Sequence, residues 1–262
     1  MLHGTVKLLF QPAEEGVRGA KAMVAKGHLD DADYVLAAHI GGGETPGSIY
    51  IGSGASLATT KFDAVFHGKP AHAGASPHGG SNAMLSAATA ILNLQAIPRH
   101  GEAATRINVG VIRGGTGRNV ICPEVRLQAE VRGTTSEANR YMEEYAGRIL
   151  RAAADMHGCT LDIIPMGGAE STGNSPEFSL FLAERFGAAG LPVTLAADED
   201  AGGSEDFSYM AQRVQEHGGQ SCYFVVQTPC AAGGHQSGFD IDERGLPGGV
   251  KAFITAILSI MA

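Results

Sequence analysis

Val125, Leu127, Ala129 and Val131 alternate with Arg126, Gln128, Glu130 and Arg132. A two-residue period of this kind belongs to a strand with one buried face. Ile107, Val109 and Val111 alternate in the same way with Asn108 and Gly110, as do Phe62, Ala64 and Phe66 earlier in the chain. Between these strands the apolar spacing lengthens to that of a helix. One helix is expected from about Ser81, with Met84, Leu85, Ala88, Ile91 and Leu92 on its buried face and Pro98 as its stop. A second opens on Thr134-x-x-Glu137, the spacing of a capping box, and turns Tyr141, Met142, Tyr145, Ile149, Leu150 and Ala153 inward before Gly158. With a last strand over 161–164, the order is βαββαβ, which predicts a ferredoxin-like sandwich spanning 57–170.

The flanking pieces, 1–56 and 171–262, read as the two parts of an α/β domain into which that sandwich is inserted. A strand over 5–10, a short helix over 17–25, Gly27 as its stop and a strand over 33–39 make one parallel unit, so a mostly parallel sheet is expected. The final helix carries Val250, Phe253, Ile254, Ile257, Leu258 and Met261 at helical spacing and should cover one face of that sheet.

In open parallel sheets ligands gather at the carboxyl ends of the strands, and several residues of this chain fall there. Gln11-Pro12-Ala13-Glu14-Glu15-Gly16 follows the apolar run 6–10. Neighbouring residues at a strand end point in different directions, so one carboxylate could hold a metal while the other takes a proton from the attacking water. Taken alone, the two glutamates read more simply as a solvated pair opening the next helix. His39 ends the second apolar run, and His235 follows the apolar strand 222–226. The glycines before His235 permit close backbone approach, and the acids downstream of it, at 240, 242 and 243, could orient its imidazole. Two histidines and a carboxylate suit Zn2+ or Mn2+. Gly203-Ser204-Glu205-Asp206-Phe207 could place backbone amides near a substrate, or could simply begin a helix. Asp198, Glu199 and Asp200 read as a solvated run.

Taken in order, QPAEEG, the strand-ending His39, GKPAHAG at 68–74, GTGRNVICP at 115–123, GGSEDF at 202–207 and HQSGFDIDE at 235–243 resemble the M20 metallopeptidase family. Within it the chain is similar to the amidohydrolase branch that contains aminobenzoyl-glutamate and N-acyl-amino-acid hydrolases, over essentially its whole length. The resemblance implies hydrolysis of the amide bond of N-acyl or N-aroyl amino acids, with p-aminobenzoyl-glutamate-like substrates favoured. It implies Glu14 as general base, Glu15 as a metal ligand, and His39 and His235 as further ligands of Zn2+ or Mn2+, two ions in a full-length enzyme. It also implies that His72 reaches from the small domain of one subunit to stabilise the oxyanion in the other, with Asn119 in support. A homodimer through the inserted domain, or a hetero-oligomer with a related subunit, follows from that role. Relatives carry a further N-terminal part with a Cys-x-His or His-x-Asp type metal motif that is not found here, so a catalytic domain lacking that part is expected. The alternative is a catalytically silent fragment acting as a dimerisation or interaction module.

Composition narrows the setting. A net charge of −8 without any Lys/Arg-rich run argues against nucleic acid as partner. Apolar stretches are broken well short of about 18 residues, so neither a membrane span nor a signal peptide is expected and the location should be cytoplasmic. The four cysteines lack metal-ligand spacing and read as reduced structural thiols. His3, His67, His78, His100, His157 and His217 read as surface or turn residues.

Overall fold

In the computed structural model, described over residues 2–52, 54, 56–196 and 204–262, the chain divides into two compact units. One comprises Met1–Glu14, Gly19–Ser56 and Thr172–Ala262, the other Glu15–Arg18 and Leu57–Ser171. The elements run α1 (Gly19–Ala25), β1 (Tyr34–Gly42), β2 (Ser48–Ile51), β3 (Ala58–His67), α2 (Ala83–Gln95), β4 (Thr105–Gly114) and β5 (Glu124–Gly133). They continue with α3 (Ser136–Met156), β6 (Thr160–Ala169), α4 (Pro176–Ala188), β7 (Val193–Leu195), α5 (Phe207–Glu216), β8 (Gln220–Thr228) and α6 (Leu246–Met261). No helix of the described residues is long and apolar enough to cross a membrane.

The first unit is built on a sheet ordered β1-β8-β2-β7. β1 and β8 are parallel, β8 and β2 antiparallel, and β2 and β7 parallel. The sheet is therefore mixed rather than mostly parallel. The reason lies in the connection at 43–47, which is too short for the crossover that parallel strands need and sends β2 back antiparallel. Ile49, Ile51, Phe224 and Val226 pack with Phe178, Leu182 and Phe186 of α4 and with Ala252 and Ala256 of α6. Val35 packs with Ala20 of α1 and with Met210, Ala211 and Val214 of α5.

Two further expectations for this unit fail. Residues 5–10 form no strand, and Phe10 there is 88% exposed. An apolar run becomes a strand only where a neighbouring strand completes its ladder, and none of the described strands does so. The buried stripe of α6 is Gly249, Ala252 and Ala256, while Val250, at 60% exposure, Ile254 and Leu258 face outward. Small residues win that face because the helix lies close to the sheet: a Cβ on Gly249 would meet Val226 Cγ2 at 3.1 Å.

The second unit carries an antiparallel sheet ordered β4-β5-β3-β6, and its element order is βαββαβ. Phe62, Ala64, Phe66, Val125, Leu127 and Val131 point from it into a core shared with α2 and α3. The predicted alternation is present, but the predicted face of α2 is not. Ala83, Ala87, Ala90 and Leu94 are buried, whereas Met84, Leu85 and Leu92 are exposed, Leu92 by 74%. As in α6, alanines let the helix approach closely, and the larger side chains turn away. The cap of α3 is Thr135, whose side chain accepts from Ala138 N, one residue on from the expected Thr134.

Candidate active site

Glu14 sits partly buried in the loop between residue 10 and α1. Two non-glycine residues of this loop, Ala13 (φ 57°) and Val17 (φ 47°), have left-handed backbones, a conformation that costs energy and survives only where neighbouring contacts hold it. The same conformation explains why α1 starts at Gly19 and not at the expected 17. The loop closes tightly, since a Cβ on Gly19 would lie 1.7 Å from the carbonyl oxygen of Pro12.

Asp206 lies behind that loop and is fully buried, with 0% exposure. It occupies the N-cap position of α5, yet its side chain makes no capping bond. Instead Oδ1 accepts from Gln11 Nε2 at 2.6 Å and Oδ2 from the backbone N of Ala20 at 3.0 Å. Glu14, Glu205 and Asp206 each offer an oxygen within 4.8 Å of the others. The Tyr223 hydroxyl donates to Glu205 Oε2 at 2.8 Å. Burial, then the charge and hydrogen bond of Glu205, then the charge of Glu14, push the Tyr223 phenol well above its ordinary pKa, so it serves as a neutral donor. Sequence reasoning read 203–207 as a source of backbone amides near a substrate or as a helix start and missed this link, because Gln11 and Asp206 are 195 residues apart. The expected acidic run Asp198, Glu199 and Asp200, with Gly202 and Gly203, lies outside the described residues.

His39 is exposed within β1, which continues past it to Gly42, and its Nδ1 lies 2.5 Å from the carbonyl oxygen of Ile40. His235 is exposed in the loop after β8, the parallel neighbour of β1, and has a left-handed backbone (φ 64°). Two of the acids expected to orient His235, Asp240 and Asp242, accept from backbone and arginine donors nearby. Asp242 accepts from Arg244 Nε at 2.9 Å and from its backbone N at 3.0 Å, and Asp240 Oδ1 from Ile241 N at 2.9 Å. The Arg244 guanidinium holds the Asp242 carboxyl below the usual range. Among the described residues, Glu14, Glu205 and Asp206 form the group of potential ligand atoms, and His39 and His235 of the same unit are not part of it. In donor chemistry a carboxylate and two imidazoles nonetheless fit a divalent ion such as Zn2+ or Mn2+.

In the second unit, His72 and Val120 pair in an isolated antiparallel bridge. Ala73 N donates to Asn119 O at 2.9 Å and Ile121 N to Ala71 O at 2.9 Å, so the two motifs lie side by side. His72 Nδ1 accepts from Gly74 N at 3.2 Å and from Ala75 N at 3.1 Å. Both partners are donors, which leaves the proton of the neutral ring on Nε2. His72 therefore presents an N–H outward. Glu15, of the same unit, is exposed. His67, expected to be an unpartnered surface residue, stands between Glu124 (3.3 Å) and Asp162 (3.1 Å) on adjacent strands.

Residues 1–259 match the model of peptidase family M20/M25/M40. The chain belongs to this family. Among M20/M25/M40 proteins it is 48% identical over 246 residues to an indole-3-acetyl-aspartic acid hydrolase of Enterobacter agglomerans, an alignment covering 93% of this chain and 56% of the relative. It is 44% identical over 259 residues to one subunit of the p-aminobenzoyl-glutamate hydrolase of Escherichia coli strain K12, covering 98% and 59%. The crystal structure of an aminobenzoyl-glutamate utilization protein from Klebsiella pneumoniae superposes with a TM-score of 0.84 at 40% identity, covering 100% of this chain and 62% of that one. The chain thus spans less than two thirds of the length of these relatives. Its mixed α/β fold is that of M20 structures, including a dinuclear metal binding peptidase of Bacillus subtilis that is 21% identical, with a TM-score of 0.66.

Proposed function

We propose that this M20 chain hydrolyses the amide bond of an N-acyl or N-aroyl amino acid, with p-aminobenzoyl-glutamate as the favoured substrate. The reading rests on relatives of that activity at 44% and 48% identity. The observation that carries it is Glu14, a partly buried carboxylate in a tightly closed loop. Such a carboxylate is pre-oriented to accept a proton.

Amide hydrolysis needs a nucleophile at neutral pH and a stabilised oxyanion. A divalent ion, when bound, lowers the pKa of water towards about 7 and polarises the carbonyl. Glu15, His39 and His235 are the residues proposed to hold it, as Zn2+ or Mn2+. Glu14 takes one proton from the attacking water and passes it to the departing amine nitrogen as the C–N bond breaks. His72 Nε2–H donates to the oxyanion, with the Asn119 side chain in support.

We read the second unit as an inserted ferredoxin-like domain over about 57–170, through which two copies pair so that His72 of one serves the other. Its βαββαβ order supports this. The Escherichia coli relative is named as one subunit of its hydrolase, which supports a hetero-oligomer as the other arrangement. We read the location as cytoplasmic.

A second reading, a catalytically silent interaction module, is favoured by one observation: His39 and His235 of the first unit are not part of the ligand group formed among the described residues. Release of p-aminobenzoate from p-aminobenzoyl-glutamate, with Mn2+ or Zn2+ added, separates the two. Turnover supports the hydrolase, and its absence with both metals supports the module.

A further inference from the structure

We infer that Asp206 is the positioning residue for Glu14: from a fully buried site it ties together the two arms of the loop that carries Glu14. This inference rests on the role of Glu14 proposed above. Gln11 stands on one arm and Ala20 on the other, and the two oxygens of the Asp206 carboxylate hold one each, at 2.6 and 3.0 Å.

Two simpler roles for Asp206 do not account for both contacts. It does not cap its own helix, since its side chain makes no capping bond although the residue occupies the N-cap of α5, and its bond to Ala20 N, a first-turn amide of α1, leaves the bond to Gln11 unexplained. Nor is it a solvated acid, being 0% exposed. A buried carboxylate is costly unless its oxygens are satisfied, so the side chain and the loop hold each other in place.

The loop needs such a tie. Ala13 and Val17 keep left-handed backbones, and a relaxed loop would move out of them. Gly19 packs so closely on the Pro12 carbonyl that any shift of one arm displaces the other. Asp206 therefore acts on the reaction through the placement of the Glu14 carboxylate, without touching substrate.

The test uses the full chain with Asp206→Ala, Asp206→Asn and Gln11→Ala, each read by steady-state hydrolysis of p-aminobenzoyl-glutamate and by hydrogen exchange followed by mass spectrometry. Asp206→Ala should lower kcat by about 100-fold, the cost of misplacing a reacting group by about 1 Å, with KM changed by less than about twofold. Exchange should quicken over 11–20 and stay unchanged over β8 and α4. Gln11→Ala should lose roughly tenfold, and the double variant should be no worse than Asp206→Ala alone, because both remove one linkage. Asp206→Asn should recover much of the activity. Its carbonyl can still accept from Ala20, and a turned Gln11 amide can accept from its NH2.

Unchanged exchange over 11–20 in Asp206→Ala would overturn the inference, as would exchange that quickens equally across the whole unit. Should Asp206→Ala fail to fold, Gln11→Ala and Asp206→Asn carry the same readouts. If the unsubstituted chain hydrolyses nothing, the proposed function fails, and the exchange pattern still decides whether Asp206 holds the loop.

Discussion

His72 pairs with Val120 in an isolated antiparallel bridge, and through it the Gly68–Gly74 turn is fixed against the Gly117–Pro123 turn. With Nδ1 occupied by the amides of Gly74 and Ala75, the ring keeps its proton on the outward Nε2. His72→Ala should therefore lower kcat for p-aminobenzoyl-glutamate by on the order of 100-fold. Because the residue is exposed, the melting temperature should barely change. Steady-state kinetics beside a thermal melt check both, and equal loss of kcat and stability would refute the oxyanion role.

Gly19→Ala places a methyl group where Pro12 keeps its carbonyl oxygen, at 1.7 Å. Neither group is a flexible side chain, so the loop itself must shift. Hydrolysis should fall by about 100-fold or more as Glu14 leaves its place. A variant with unchanged kcat would show that the arrangement of this loop does not matter to the reaction.

Asp63 in β3 is only 3% exposed at its side chain and is held by Arg126 Nη2 at 2.6 Å and Nε at 2.8 Å. Removing the partner of a buried carboxylate typically costs about 3–5 kcal/mol. Arg126 is itself 47% exposed, so water screens the pair and a loss of about 2 kcal/mol is expected for Arg126→Ala. Asp63→Asn combined with Arg126→Leu should lose less, because no buried charge is then left alone. Urea unfolding of the three proteins measures the differences.

Burial pushes the Cys222 thiol up from 9.0 to about 12, with a weak opposing contact from Ser179. Its folded pKa is raised, so between pH 9 and about 12 the native state binds more protons than the unfolded one, and stability falls as pH rises. The contribution is fully present below pH 9 and is lost through that window. Cys222→Ala removes the titrating group, so its stability should decline less steeply than that of the parent chain between pH 9 and 12. Parallel slopes in denaturant melts would contradict the assignment.

How far the sequence speaks for the fold depends on the kind of signal. The alternation at 125–131 is a local rule and yields a strand with Val125, Leu127 and Val131 buried. The helix faces were misjudged because size was taken as a guide to burial, whereas α2 and α6 approach their neighbours through Ala83, Ala87, Ala90, Ala252 and Ala256. Residues 5–10 have strand composition, but composition cannot supply a neighbouring strand. For the site, the roles of Glu14 and His72 could be read from motifs, whereas the motif that contains Asp206 did not disclose its role. Its partners Gln11 and Ala20 lie 195 and 186 residues away, and only folding reveals that a residue at a helix start serves a distant loop. Likewise, nothing in the sequence shows that Asp242 pairs with Arg244.

The most direct measurement is turnover of p-aminobenzoyl-glutamate by the chain and by Glu14→Ala, with metal content determined on both after loading with Mn2+ or Zn2+. Expected are turnover and bound metal in the parent chain, and turnover reduced by at least about 100-fold in Glu14→Ala with its metal content kept. Equal turnover in the two proteins, or neither metal nor turnover in the parent chain, would contradict the role of Glu14 as the proton acceptor of an amide hydrolase.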